Sequence, residues 1–125
     1  MKTLLIFFFS SLITVALAHL VAIHFYLYWT YRWIDNPIHA LGGVTVALGV
    51  SILPFLGVTI LEKFPPFWTT FLCVLFVGVV WEIFEITTGI MVFEPGYVTD
   101  TVSDLLMDCI GGVIGYYVVQ SVKKI

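Results

Sequence analysis

Charge is what this chain has least of. Only 10% of its 125 residues are Asp, Glu, Lys or Arg, against about 25% in a soluble domain. A chain so poor in charge cannot make a polar surface large enough to stay in water, so most of its exterior faces lipid. Basic residues are scarcer still, five against eight acids, for a formal net charge of −3. That argues against a nucleic-acid partner, because phosphate binding needs clustered Lys and Arg. Cysteine is limited to Cys73 and Cys109. Both lie in apolar runs without Cys-x-x-Cys or Cys/His spacing, so they read as small buried residues, and no disulfide or thiolate ligand is expected. No linker, low-complexity tract or second domain is visible, which leaves one transmembrane domain over residues 1–125.

What the chain has in abundance is long apolar sequence. Four segments run from about Thr3 to Tyr31, Pro37 to Leu61, Pro66 to Ile90 and Thr101 to Val122, each near the roughly 20 residues needed to cross the hydrocarbon core. No alternating barrel strands occur, so the expected fold is an all-α membrane protein, an antiparallel bundle of four transmembrane helices. Asn36 before Pro37 reads as an N-cap with proline at the first helical position, and Pro65-Pro66 opens the third helix the same way. Thr99 or Asp100 can cap the fourth helix. Pro54 is expected to kink the second span by freeing the Val50 carbonyl. Tyr26, Tyr28, Trp29, Tyr31 and Trp33 form an interfacial belt at one end, with Phe67 and Trp68 at the other.

Lys2 ahead of an apolar stretch, with Ala16-Leu17-Ala18, also resembles a signal peptide. The apolar run continues to Tyr31, however, and cleavage would strand His19 to Tyr31 as a segment too short to span. A retained first span is the favoured reading. Lys2, Lys63, Lys123 and Lys124 fall on one side of such a bundle and only Arg32 on the other. The positive-inside rule then puts both termini in the cytoplasm, with the protein multi-pass in the cell membrane.

The acids follow the opposite bias. Asp35 and His39 are one turn apart at the outer end of the second span. Glu82 and Glu85 share a face near the outer end of the third, and Asp100, Asp104 and Asp108 form a stripe at the start of the fourth. An ionised group at the centre of a lipid-embedded helix costs about 2.5–3.5 kcal/mol even on mild scales, so these groups should turn into the bundle. Arg32 is the sole outer cation. Either some carboxyl groups hold protons or a divalent ion sits among them. One His with several carboxylates suits Mn²⁺, Fe²⁺, Zn²⁺ or Mg²⁺ better than soft copper. The candidate ligands are His39, Glu82, Glu85, Asp104 and Asp108, with Arg32, Asp35 and Asp100 as supporting or substrate-contacting groups. Glu82-x-x-Glu85 departs from the Glu-x-x-His of di-iron bundles.

Plainer roles are open for several of these residues. Asp35 and Asp100 suit helix starts, where acids favour the dipole. Glu94 suits a solvated loop, His19 and His24 interhelical polar contacts, Arg32 an interfacial anchor and Trp81 simple packing. An internal echo nonetheless groups the polar positions. Asp35-x-x-x-His39-x-x-Gly42-Gly43-Val44 matches Asp104-x-x-x-Asp108-x-x-Gly111-Gly112-Val113, which suggests two tandem helical hairpins with the site between them. The glycines, with Gly115, also let helices approach closely.

Taken together, Asp35-x-x-x-His39-x-x-Gly42, Trp81-Glu82-x-x-Glu85 and Asp100-x-x-x-Asp104-x-x-x-Asp108-x-x-Gly111 resemble the YjdF-type bacterial inner-membrane proteins, and more distantly the VanZ-like family. The similarity covers about Ile34 to Tyr117. It implies a polytopic membrane fold and matches His39, Glu82, Glu85, Asp100, Asp104 and Asp108 to the family's polar positions. Three function classes stay open. One is a metal-dependent hydrolase acting on lipid or lipid-linked phosphate. Another is a proton- or cation-coupled transporter or flippase component, for which a chain this small would have to form a homo-oligomer. The third is a structural membrane subunit.

Overall fold

A computed structural model describes residues 1–63, 66–89 and 96–124. Its main elements are α1 (Lys2–His24), α2 (Leu27–Thr30), α3 (Asp35–Ile52), α4 (Pro66–Thr88) and α5 (Tyr97–Lys123), with no strand among the described residues. Four of these, α1, α4, α5 and α3 with its flanking turns, are long and apolar enough to cross a membrane. The fold is therefore an all-helical, four-span bundle.

The ends of the spans differ from the sequence expectation in ways that local chemistry explains. The first apolar run is broken at Tyr26, which takes a left-handed φ of 55°. The short α2 follows, and Tyr28 shares a 2.7 Å hydrogen bond with His19 Nδ1. A 3-10 turn, Arg32–Ile34, then leads directly into α3. Asn36 consequently does not cap: the helix already begins at Asp35 with no side-chain cap bond, and Asn36 Oδ1 instead accepts from Ser103 Oγ at 3.3 Å. Pro37 is tolerated because the first helical N–H groups have no intrahelical partner.

Pro54 ends the α-helical part of the second span rather than bending it. After Ile52 the chain tightens into the 3-10 turn Leu53–Leu56, and Gly57 closes it at φ 85°. There the Gly57 N–H donates to the Pro54 carbonyl and the Val58 N–H to that of Leu53, each at 3.1 Å, as at a helix C-terminus closed by glycine. The α4 helix opens at Pro66 as anticipated; Pro65 and Glu94 lie outside the described residues. Neither Thr99 nor Asp100 caps α5, because Gly96 holds the N-cap position at φ 106° and both residues fall within the first turn.

The central pair is α3 and α5, packed along their lengths, with α1 mainly on α3 and α4 against both. Glycine makes that pairing close. A β-carbon on Gly43 would strike the backbone carbonyl of Asp108, and one on Gly111 would strike that of Ala40. Gly43 and Asp108 both belong to the repeated sequence pattern, so its two copies lie side by side, both running in from the same end. An apolar core of Leu4, Leu48, Ile52 and Val119 fills the opposite end of the bundle. Met1 and Lys123 border one cavity there, which puts the two ends of the described chain on the same side. Large side chains such as Ile6, Leu20, Phe76 and Leu106 are exposed around the outside, as expected of a surface solvated by lipid tails rather than water.

Candidate functional site

Away from that apolar core, six ionisable side chains are buried together. Asp35 and His39 come from α3, Glu82 and Glu85 from α4, and Asp104 and Asp108 from α5. None is more than 6% exposed. Spacings of three or four residues put each pair on one helix face, and each face points at the other two helices because the alternative is ionisable groups in hydrocarbon.

His39 is the hub. Its Nε2 lies 3.4 Å from Asp35 Oδ1 and its Nδ1 lies 3.2 Å from Asp108 Oδ1. Ligand-capable atoms of Asp35, His39 and Asp104 fall within 4.8 Å of one another, as do those of His39, Glu82 and Glu85. Of the expected ligands, Asp108 stands outside both triads and holds the imidazole instead. Asp35, expected only to support, belongs to one of them. Asp100 is half-buried in the first turn of α5, Arg32 is exposed in the turn before α3, and both lie outside the triads.

Three oxygens in this cluster are both buried and without a hydrogen-bond partner among the described residues: Asp35 Oδ2, Glu82 Oε1 and Asp104 Oδ1. Buried polar atoms almost always have partners. Each triad is rich in hard oxygen donors and contains one imidazole. That donor set fits a divalent ion such as Mn²⁺, Fe²⁺, Zn²⁺ or Mg²⁺.

A second tier of side chains lies around the cluster, and sequence reasoning missed most of it. Trp81 Nε1 donates to Glu85 Oε1 at 2.8 Å, so Trp81 is more than packing. The His19 ring meets Trp81 edge-to-face at a centroid distance of 5.2 Å, and His19 also bonds Tyr28. A run of contacts thus extends from α2 through α1 and α4 to Glu85. Burial, and after it the Asp35, Glu85 and Asp104 carboxylates, raise the Tyr28 phenol well above its ordinary value, so Tyr28 stays protonated. His24 is exposed and packs on Phe25, away from the cluster. The glutamate four residues after Trp81 was the one available signal for the indole bond, since i and i+4 share a face.

Next to the cluster, α1, α3 and α4 border a half-open cavity of about 480 Å³, into which Asp35, His39 and Asp108 reach. A smaller one of about 330 Å³ lies between α3, α4 and α5 near Pro54, Thr69 and Gln120, and none of the six clustered residues lines it.

Residues 2–124 match the model of a family described as predicted membrane protein, DUF2238. The match agrees with the YjdF-type resemblance and gives no support to the VanZ-like one. No curated protein and no solved structure matches the chain.

Proposed function

The chain belongs to the DUF2238 family of membrane proteins, and from that premise we propose that it is a metal-dependent hydrolase of lipid or lipid-linked phosphate. Asp35, His39, Glu82, Glu85 and Asp104 would hold one or two divalent ions in two triads that share His39, with Asp108 orienting His39. The observation that carries this reading is the pair of buried triads that share His39, with unpartnered oxygens on Asp35, Glu82 and Asp104. An uncompensated buried ion costs several kcal/mol, and a divalent cation held by either triad offsets that cost for its own carboxylates.

When bound, such an ion polarises a phosphoryl oxygen and lowers the pKa of water. The rest falls to the chain. Asp108 fixes the imidazole orientation through Nδ1, as carboxylates do for metal-bound His. Trp81 fixes Glu85. Asp100 and Arg32 sit at the starts of α5 and α3, where Arg32 would orient an anionic headgroup and Asp100 would accept a proton. With the termini in the cytoplasm, as the lysine distribution favours, the substrate would lie in the outer leaflet.

Elemental analysis of detergent-purified protein is the direct test. Wild type should carry a divalent metal at or above one equivalent, Glu85→Ala should lose most of it, and chelation should abolish hydrolysis of a phospholipid headgroup. Metal-free wild-type protein that still hydrolyses the lipid would overturn the proposal.

One observation favours a second reading. Asp35, His39 and Asp108 form a continuous polar file, as a proton relay would need. Proton flux in proteoliposomes that survives chelation would support transport over hydrolysis.

A further inference from the structure

We infer that the cavity between α1, α3 and α4 seats one acyl chain of a phospholipid, with the headgroup of that lipid at the His39 cluster. This rests on the hydrolase reading only for what the headgroup meets; the seat of the chain stands on the cavity itself.

The walls are hydrocarbon. α1 contributes Leu12, Ala16 and Leu20, α4 contributes Val74 and Val77, and Val46 of α3 lies between them. Leu12, Leu20 and Val77 are also exposed at the bundle surface, so the medium at the cavity's edge is the lipid bilayer. The polar lining begins at Asp35, continues through His39 and ends at Asp108, whose carboxylate lies level with Gly42 and Gly78. An occupant must therefore be polar along the outer part of the cavity and apolar along the inner part, as a headgroup and glycerol backbone joined to an acyl chain are.

Length decides which amphiphile fits. The α3 lining runs from Asp35 to Val46, and eleven helical residues rise about 16 Å. That is about half of the roughly 30 Å hydrocarbon core, the depth of one leaflet. A chain anchored by a headgroup at Asp35 would reach the end of the cavity near mid-membrane. The cavity stops there, where the apolar core of Leu4, Leu48 and Ile52 takes over. A helix from a second copy would run the full depth, past the point where the cavity stops, whereas the His19 and Trp81 rings of its lining meet edge to face. Those two rings and Tyr28 place amphipathic side chains at headgroup level, where such residues favour the interface.

The test is photo-crosslinking in nanodiscs of phosphatidylethanolamine and phosphatidylglycerol, using a phosphatidylglycerol with a diazirine midway along one chain. Labelling mapped by mass spectrometry should be at least about fivefold higher at Leu12, Ala16, Val46 and Val77 than at Ile13 and Phe76 outside the cavity. Ala16→Trp should fill the space and reduce labelling of Val46 and Val77 to the background of Ile13, whereas Ile13→Trp should not. Divalent-metal content is measured on the same samples. Preferential cavity labelling in metal-free protein would sustain this inference while sinking the hydrolase reading. Metal-loaded protein labelled evenly around α1 and α4, or cross-linked to a second copy through the cavity residues, would sink this inference alone.

Discussion

Gly43 lies directly against the main-chain carbonyl of Asp108, so close that a β-carbon on Gly43 would overlap it. The contact joins the two copies of the repeated pattern at the level of the acidic cluster. It also sets how far the α5 carboxylates stand from His39.

Gly43→Ala should therefore force α3 and α5 apart. Overpacking typically costs about 1–3 kcal/mol, and here the obstacle is backbone that cannot rotate away. Gly42→Ala is the comparison, because its β-carbon would meet Asp108 Oδ1 at an ordinary 3.7 Å. Unfolding by SDS titration, followed by circular dichroism, should show a marked loss for Gly43→Ala and a change within about 0.5 kcal/mol for Gly42→Ala. Equal effects would contradict the close packing.

Asp108→Asn keeps the shape of the side chain but removes the charge beside His39 Nδ1. Loss of such a supporting carboxylate typically weakens metal binding about 10–100-fold. Calorimetric titration with Mn²⁺ or Zn²⁺ should show that drop with helicity unchanged. Wild-type affinity in the variant would remove Asp108 from the site.

Trp81→Phe deletes the N–H donor to Glu85 Oε1 while leaving a ring against His19. Divalent affinity should fall about tenfold, at the low end for an outer partner. Trp68→Phe, at an exposed position, should leave affinity as it was. A tenfold loss in both variants would point to general destabilisation instead.

The raised Tyr28 phenol predicts an alkaline effect with a definite sign. Folded protein holds the Tyr28 proton to higher pH than the unfolded chain does, whose phenols titrate near about 10. The stability tied to that difference is fully present below about pH 10 and is lost as pH rises further. Tyr28→Phe should flatten the alkaline loss of stability in detergent. An identical pH profile for the variant and wild type would show that Tyr28 is not held neutral by its surroundings.

The spans and the polar stripes were legible because both rest on simple periodicities. Apolar length gave four crossings, and three- and four-residue spacings aligned Asp35 with His39, Glu82 with Glu85, and Asp104 with Asp108. The repeated pattern around Gly42-Gly43 and Gly111-Gly112 pointed to corresponding segments, and these pack together. Segment ends were harder. Asn36-Pro37 has the composition of a helix start, yet the upstream 3-10 turn had already begun the coil. Tyr26 gives no composition signal for a left-handed turn, since that conformation is disfavoured for a bulky residue. The roles of Asp35 and Trp81 depend on neighbours from other helices. An acid at a helix start looks like a dipole partner until α5 is placed beside it, and a tryptophan in apolar sequence looks like filler.

The interlocked glycines also decide which parts of the bundle can move. Backbones in direct contact cannot slide past each other without separating, so α3 and α5 behave as a single rigid strut. Any opening must then come from a swing of α1 or α4, with Gly57 and the left-handed Gly89 at the end of α4 as natural pivots. Conformational change in this protein would be read at its periphery, while the spacing between His39 and Asp108 stays fixed throughout.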